Sequence, residues 1–241
     1  MERIEYERLA AVEDRMWWTR ALRRNLLGVG MRFAGRPNSR VLDAGCGAGG
    51  LLATLASRDP GGANFGLDRD GFACRLTREK SRRPVAQSSV DDLPFRDAAF
   101  DIIFSADVLC HRGVNADRAL RELRRCLRPG GALIVNLPAY QWLYSAHDRA
   151  VDNARRYRRG EVVRLLAAAG FASIRATYWN SVLFPLMVAR RLLPGGGIEV
   201  GLLSAPLERL FDAVATFETA LLRSGLRLPF GGSILAVGTH P

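Results

Sequence analysis

The chain has 241 residues, 48% apolar and 24% charged, with 35 basic side chains against 24 acidic ones and a formal charge of +11. A chain of this length buries roughly 70–75% of its unfolded surface, so it needs no covalent staples, and its apolar fraction excludes disorder. Its 24 glycines exclude a collagen-like repeat, and Cys46, Cys74, Cys110 and Cys126 contain no C-x-x-C pair and no His at metal-ligand spacing, which fits a reduced, cytoplasmic chain without a metal.

The first fifteen residues are polar and carry both signs of charge, against a secretory signal. The most apolar stretches, Val162 to Ala169 and Val182 to Leu193, are broken by arginine or proline and are too short for a bilayer. No membrane-crossing segment is expected. Lys80 is the only lysine, so arginine supplies 35 − 1 = 34 of the basic residues. A skew of that size reads as codon bias in a GC-rich genome before it reads as a polyanion-binding face, and no nucleic-acid partner is expected.

In chain order, Ile4, Leu9, Val12, Met16, Trp17, Leu22, Leu26 and Leu27 predict a helical cap over residues 1–36. Short apolar runs then alternate with amphipathic segments. Strands are expected at Val41-Leu42, Asn64 to Leu67, Pro84 to Gln87, Phe100 to Phe104 and Ala132 to Leu137, with helices over Leu51 to Ala56, after Asp70 and over Ala116 to Leu127. In that last helix Ala119, Leu120, Leu123 and Leu127 form one stripe and the arginines form a solvated outer face. Beyond it come a helix over Glu161 to Ala169, a strand at Ala172 to Tyr178, a helical insertion over 180–227 and a last strand within 230–238. The alternation predicts an α/β fold: a Rossmann-like, mostly parallel seven-stranded sheet with helices on both faces, built as one domain over 1–241 whose core is 38–178 and 230–238.

The most informative stretch is Val41 to Gly50, VLDAGCGAGG. Gly45, Gly47 and Gly50 satisfy G-x-G-x-x-G, a weak signal for a dinucleotide. Asp43 adds to it: a carboxylate two residues before the first glycine would repel a pyrophosphate and would welcome an ammonium group. Asp43, Gly45, Gly47 and Gly49 thus resemble the first motif of class I methyltransferases that use S-adenosyl-L-methionine. The resemblance continues in order through Phe65 to Asp68, Val90 to Phe95, Phe100 to Phe104 and Leu127 to Gly131, and covers residues 38 to 137. It implies a cofactor site made of Asp43, Gly45, Cys46, Gly47, Gly49, Asp68, Arg69, Ser89, Val90 and Asp91, with Asp68 on the ribose hydroxyls. Ser89 stands where many relatives carry an acid for the adenine amino group, so that contact falls to Ser89, to Asp91 or to backbone.

The substrate side is less determined. His111, just after the fourth strand, is either a general base for a hydroxyl or a structural histidine. His147 beside Asp148 resembles a base and its orienter, although adjacent residues rarely face one site, and Tyr157 is a third catalytic candidate. Trp18 is the candidate lid, whereas Trp17 extends the apolar stripe. Tyr140 and Tyr144 either wall a pocket or pack a loop, and Arg155 and Arg156 either hold an anionic acceptor or belong to a solvated loop. In a narrower branch that the chain resembles, a histidine stands two positions before Arg155-Arg156-Tyr157; here that residue is Asn153. The expectation is methyl transfer to a small-molecule acceptor at a hydroxyl oxygen. Its rivals are an RNA methyltransferase and a non-catalytic cofactor- or membrane-surface-binding module, with peripheral membrane contact and a homodimer left open.

Overall fold

The structure is a computed structural model that describes residues 3–33, 39–192 and 202–241. The ends of the cap expectation at residues 1, 2 and 34–36, and residues 193–201 of the insertion, lie outside the described residues. Helices α1 (Arg3–Val12) and α2 (Trp17–Gly30) form the cap. The alternating core follows as β1 (Val41–Ala44), α3 (Gly50–Arg58), β2 (Asn64–Asp68), α4 (Gly71–Ser81), β3 (Val85–Gln87), β4 (Phe100–Ala106), α5 (Ala116–Cys126) and β5 (Leu127–Pro138). Then come α6 (Ala146–Ala150), α7 (Arg159–Ala168), β6 (Ala172–Trp179), α8 (Phe184–Leu192), α9 (Ala205–Arg223) and β7 (Ser233–Thr239).

The strands form one seven-stranded sheet in the order β3-β2-β1-β4-β5-β7-β6. All pairs are parallel up to β5, and β7 runs antiparallel to both β5 and β6. Successive residues of a strand point to opposite faces, which explains why the central strands are apolar throughout. Leu42, Ile103, Leu133 and Ile234 pack under α5 and α7, while Val41, Ile102, Ile134 and Leu235 pack under α2, α3 and α4 with Leu26, Leu52 and Leu55. Each such side chain, removed from water, contributes about 1.5–3 kcal/mol.

Two local features differ from the sequence expectation. The Pro129-Gly130-Gly131 turn lies inside β5, which begins at Leu127; the register against β4 shifts between Phe100 and Ile102, and Gly130 takes φ +79°. Arg125 is no solvated outer residue. Its guanidinium donates to Glu122, to Asp97 and to the carbonyls of Leu93 and Phe95, clamping the loop before β4 onto α5.

The cap is fastened to the core at both ends. Lys80 on α4 bridges Glu13 and Asp14 at 2.6 Å each. Against α9, Arg24 pairs with Asp212 at 2.9 Å, Thr219 Oγ1 donates to Asn25 Oδ1 at 2.8 Å and the Trp17 N–H donates to Glu208 Oε2 at 2.7 Å. The carboxylate of Glu218, also on α9, accepts the backbone N–H groups of Asn180, Ser181 and Val182 at the end of β6. Cap, late helices and sheet edge are thereby tied together over the ends of the central strands.

Candidate functional site

Ligands in open α/β sheets bind outside the carboxyl ends of the strands where the strand order reverses, here between β1 and β4. A cleft of about 1340 Å³ opens there. Of the residues expected at the site it is lined by Asp43, Gly45, Cys46, Gly47, Asp68, Arg69, Ser89, Val90, His111, His147, Trp18 and Arg156.

The floor is the loop between β1 and α3. Gly45 and Gly47 adopt φ +90° and +54°, a backbone region costly for a residue with a Cβ. A Cβ on Gly45 would lie 2.2 Å from Val108 Cγ2, so the loop after β4 can close against it only because the side chain is absent. Around Gly47 nothing lies within 4 Å of a built Cβ, which leaves backbone open to a ligand. Gly49, at φ +91°, starts α3 and faces Thr77 rather than the cleft. It shapes the loop from behind.

Two of the expected carboxylates line this floor. Asp43 is 2% exposed; the backbone N–H of Leu52 supports it, but its Oδ2 has no hydrogen-bond partner. Burial, with Asp68 and Glu13 nearby, pushes its pKa up to about 7. An orphaned buried carboxylate oxygen beside an open glycine loop fits a ligand that brings a cation, as the ammonium of S-adenosylmethionine would. Asp68 accepts the N–H groups of Gly47 at 2.9 Å and Asp70 at 3.0 Å, one on each oxygen. A carboxylate has about four lone-pair sites, so both oxygens keep capacity for vicinal hydroxyls. Asp91 goes elsewhere: it is absent from the cleft lining, and its Oδ2 accepts the N–H of Asn115 ahead of α5 at 3.1 Å. Ser89 and Val90 are what remains for an adenine edge.

On the opposite wall, Trp18 stacks on Trp179 with centroids 6.0 Å apart, and Trp17 meets Phe211 edge-on at 5.6 Å. His111 lines the cleft, and burial holds its pKa below the ordinary value, against the pull of Asp152 and Asp68. His147 lines it as well. Arg156 is 6% exposed: its Nε donates to the fully buried Asp148 at 2.9 Å and its Nη1 to the Ala139 carbonyl at 3.2 Å. Asp148 also accepts from Asn153 and Ser145, so it is the anchor of this segment.

Besides Gly49 and Asp91, four residues expected on the substrate side are not brought to the cleft. Tyr157 is wholly buried and its hydroxyl donates to the Leu109 carbonyl at 2.7 Å, a bond that ties two loops and occupies the group a base would use. Tyr140 stacks on Tyr178 at 5.2 Å, and Tyr144 donates to the Asn153 carbonyl at 2.8 Å. Arg155 lies over the Tyr157 ring at 4.4 Å with half its side chain in solvent. Conversely, Tyr6, Glu13, Asp107, Asn153 and Asn180 line the cleft without having been singled out for it. Tyr6 and Glu13 carried no motif, because only the fold of the cap brings them there.

The comparisons with known proteins agree with this geometry. Residues 42–135 match the family model described as a methyltransferase domain. The chain is 35% identical over 161 residues to the malonyl-[acyl-carrier protein] O-methyltransferase of Methylococcus capsulatus, covering 61% of this chain and 56% of that protein. It is 26% identical over 209 residues to 24-methylenesterol C-methyltransferase 2 of Oryza sativa, covering 68% and 56%. Among solved structures, phosphoethanolamine N-methyltransferase 2 of Haemonchus contortus in complex with S-adenosyl-L-methionine superposes with a TM-score of 0.61 at 17% identity, covering 93% of this chain and 53% of that one, a likeness of fold alone. The chain spans about half the length of the curated relatives it matches. Among the described residues no helix is long and apolar enough to cross a membrane. With the motif order, the sheet and the glycine floor in place, residues 42–135 of this chain are a methyltransferase domain, and the residues of its floor fit S-adenosyl-L-methionine as the cofactor.

Proposed function

We propose that the protein transfers a methyl group from S-adenosylmethionine to a small-molecule acceptor, at a hydroxyl oxygen. What carries this reading is that the glycine floor and the polar wall of Trp18, Asp107, His111, His147 and Arg156 share one cleft. Its volume of about 1340 Å³ exceeds the roughly 300–1,000 Å³ that encloses a single drug-sized ligand, which leaves room for an acceptor beside the cofactor. The cofactor, when bound, supplies an electrophilic methyl on a sulfonium.

The protein's part is orientation and proton handling. Asp43 meets the ammonium end, Asp68 the ribose, and Ser89 with Val90 the adenine edge. Trp18 covers the cleft from the cap and excludes water. The cap and the helical insertion complete the cleft as parts of one cytoplasmic unit. The charge of +11 does not favour a nucleic-acid acceptor, because several of the arginines expected to be free are engaged: Arg125 and Arg128 in ion pairs on the side of α5, Arg156 with Asp148.

Incubation with S-adenosylmethionine labelled in its methyl group and a pool of cellular metabolites, in parallel with RNA and DNA, tests the reading. The expected result is label in a low-mass product. Label confined to nucleic acid, or no transfer by a protein that binds the cofactor, would overturn it.

A further inference from the structure

Asp107 is the first residue after β4 and stands directly beyond the glycine floor, because its neighbour Val108 is the side chain that closes on Gly45. It lines the cleft, and its backbone sits at φ +56°, a conformation that costs a non-glycine residue about 1–2 kcal/mol. Strain of this kind persists where the surroundings over-determine it. Here they do. Asn136 on β5 accepts the Asp107 N–H with its main-chain carbonyl at 2.9 Å and donates its side-chain amide to both carboxylate oxygens, at 3.0 and 3.1 Å.

The amide of Asn136 cannot turn round. Its Oδ1 accepts the indole N–H of Trp179 at 2.7 Å, and an indole nitrogen only donates. With Oδ1 fixed on Trp179, Nδ2 must face Asp107. Asn136 and Trp179 are 0% and 1% exposed, so no water competes for either bond. The other face of Trp179 stacks on Trp18 of the cap. One amide nitrogen cannot saturate a carboxylate, and the remaining lone pairs of Asp107 belong to the cleft.

We propose that Asp107 takes the proton from the acceptor hydroxyl, and that Asn136 and Trp179 are its positioning residues. The assignment rests on the methyl-transfer reading above. Asp107 accepts the hydroxyl proton on a carboxylate oxygen while the acceptor oxygen forms its bond to the methyl carbon; the methyl–sulfur bond breaks and leaves its electron pair on sulfur as a thioether. Burial pushes the Asp107 pKa up to about 7, against the Asn136 hydrogen bond and the Arg156 charge, which lower it, with Asp148 raising it. Cys110 on the same loop is a buried thiol whose pKa is raised well above the ordinary range. A carboxylate poised near neutrality suits a weakly acidic hydroxyl such as a phenol. His111 also lines the cleft, and its acidic electrostatic neighbours are Asp152 and Asp68.

The test uses 4-nitrophenol as a minimal hydroxyl probe. Wild-type protein, Asp107→Asn and Trp179→Phe are each saturated with S-adenosylhomocysteine and titrated with the phenol across pH 5.5–8.5, followed by its absorbance. Asparagine keeps the left-handed backbone of position 107, and phenylalanine keeps an aromatic ring against Trp18 while removing the N–H. The account expects saturable binding at pH 7 in the wild type and at least tenfold weaker binding in Asp107→Asn. In Trp179→Phe the midpoint of the pH dependence moves up, because the amide is no longer held on the carboxylate. S-adenosylhomocysteine affinity stays within twofold throughout. No saturable binding, or equal binding by Asp107→Asn, overturns the role of Asp107. An unmoved midpoint in Trp179→Phe overturns the positioning role, since a merely structural tryptophan would change stability and leave the midpoint alone. Failure of the wild type to bind S-adenosylhomocysteine is a separate result, which removes the methyl-transfer reading and this assignment with it.

Discussion

Along the wall proposed for the methyl donor, Asp43 sits near the end of β1 and Gly45, Cys46 and Gly47 follow in the turn to α3, where Gly47 leaves backbone open to the cleft. Along the wall proposed for the acceptor, Trp18 comes from α2 and Asp107 from the end of β4, and both are backed by buried side chains, Asn136 of β5 and Trp179 at the end of β6. A backbone site needs residues that stay out of the way, whereas a side-chain site needs residues that hold one another in place. The two walls should therefore fail differently, the first by filling and the second by removal of a partner.

Filling gives the largest expected effect on ligand binding. In Gly45→Ala the added methyl meets Val108 at 2.2 Å on a backbone of φ +90°, so either the loop after β4 or the glycine turn must move. The expected outcome is a loss of about 2–4 kcal/mol in stability together with loss of S-adenosylhomocysteine binding in calorimetry. A variant that bound the ligand normally would show that the two loops are not packed as described.

Removing a partner on the acceptor side comes next. Asp148→Ala leaves the Arg156 guanidinium buried without its carboxylate, which is expected to cost about 3–5 kcal/mol in thermal unfolding. Because Arg156 and Asp148 are 6% and 0% exposed, solvent screens this pair little. Any folded fraction should still bind S-adenosylhomocysteine, since the donor wall is untouched.

Asp43→Asn sharpens the comparison through pH. A carboxylate whose pKa rises from 3.8 to about 7 on folding makes the ligand-free protein less stable as pH rises through that interval, because the folded state holds the proton longer than the unfolded one. The contribution is fully present below 3.8 and lost above about 7. Asp107 adds a slope of the same sign, with a midpoint also near 7. Asp43→Asn should flatten the fall in melting temperature between pH 5 and pH 8 while weakening cofactor binding. A fall as steep as in the wild type would show that Asp43 does not carry the shift.

Arg155→Ala is the smallest. A half-exposed guanidinium over a ring, with a 3.8 Å ion pair to Glu161, contributes less than about 1 kcal/mol. Cofactor and 4-nitrophenol binding should not change. A larger loss would return the arginine cluster to the acceptor site.

The same contrast explains what was legible in the sequence. The strands from Val41 to Ala132 show in apolar runs and turn residues, and the acid-glycine motif lies within eight residues because the donor wall is local. The positions of Asp91 and Gly49 were visible, but their direction was not: whether a side chain faces the cleft or the helix behind it depends on a backbone turn. On the wall proposed for the acceptor Asp107 follows a strand without any pattern, and nothing in the sequence pairs Asn136 with Trp179, 43 positions later. The arginines near position 156 read as a cluster, although only the fold separates Arg156, buried on Asp148, from Arg155 in solvent. Tyr157 carries the same lesson, since a hydroxyl spent on the Leu109 carbonyl is indistinguishable in sequence from one that is free to react.

The orphaned Asp43 carboxylate and the glycine floor are expected to hold the methyl donor. Isothermal titration of the wild type and Asp43→Asn with S-adenosylhomocysteine at pH 7.5 tests it most directly. One site per chain is expected in the wild type, with affinity at least thirtyfold weaker in the variant, the loss typical of a buried charge pair deprived of one partner. Absence of binding in the wild type, or equal affinity in the two proteins, would contradict the account.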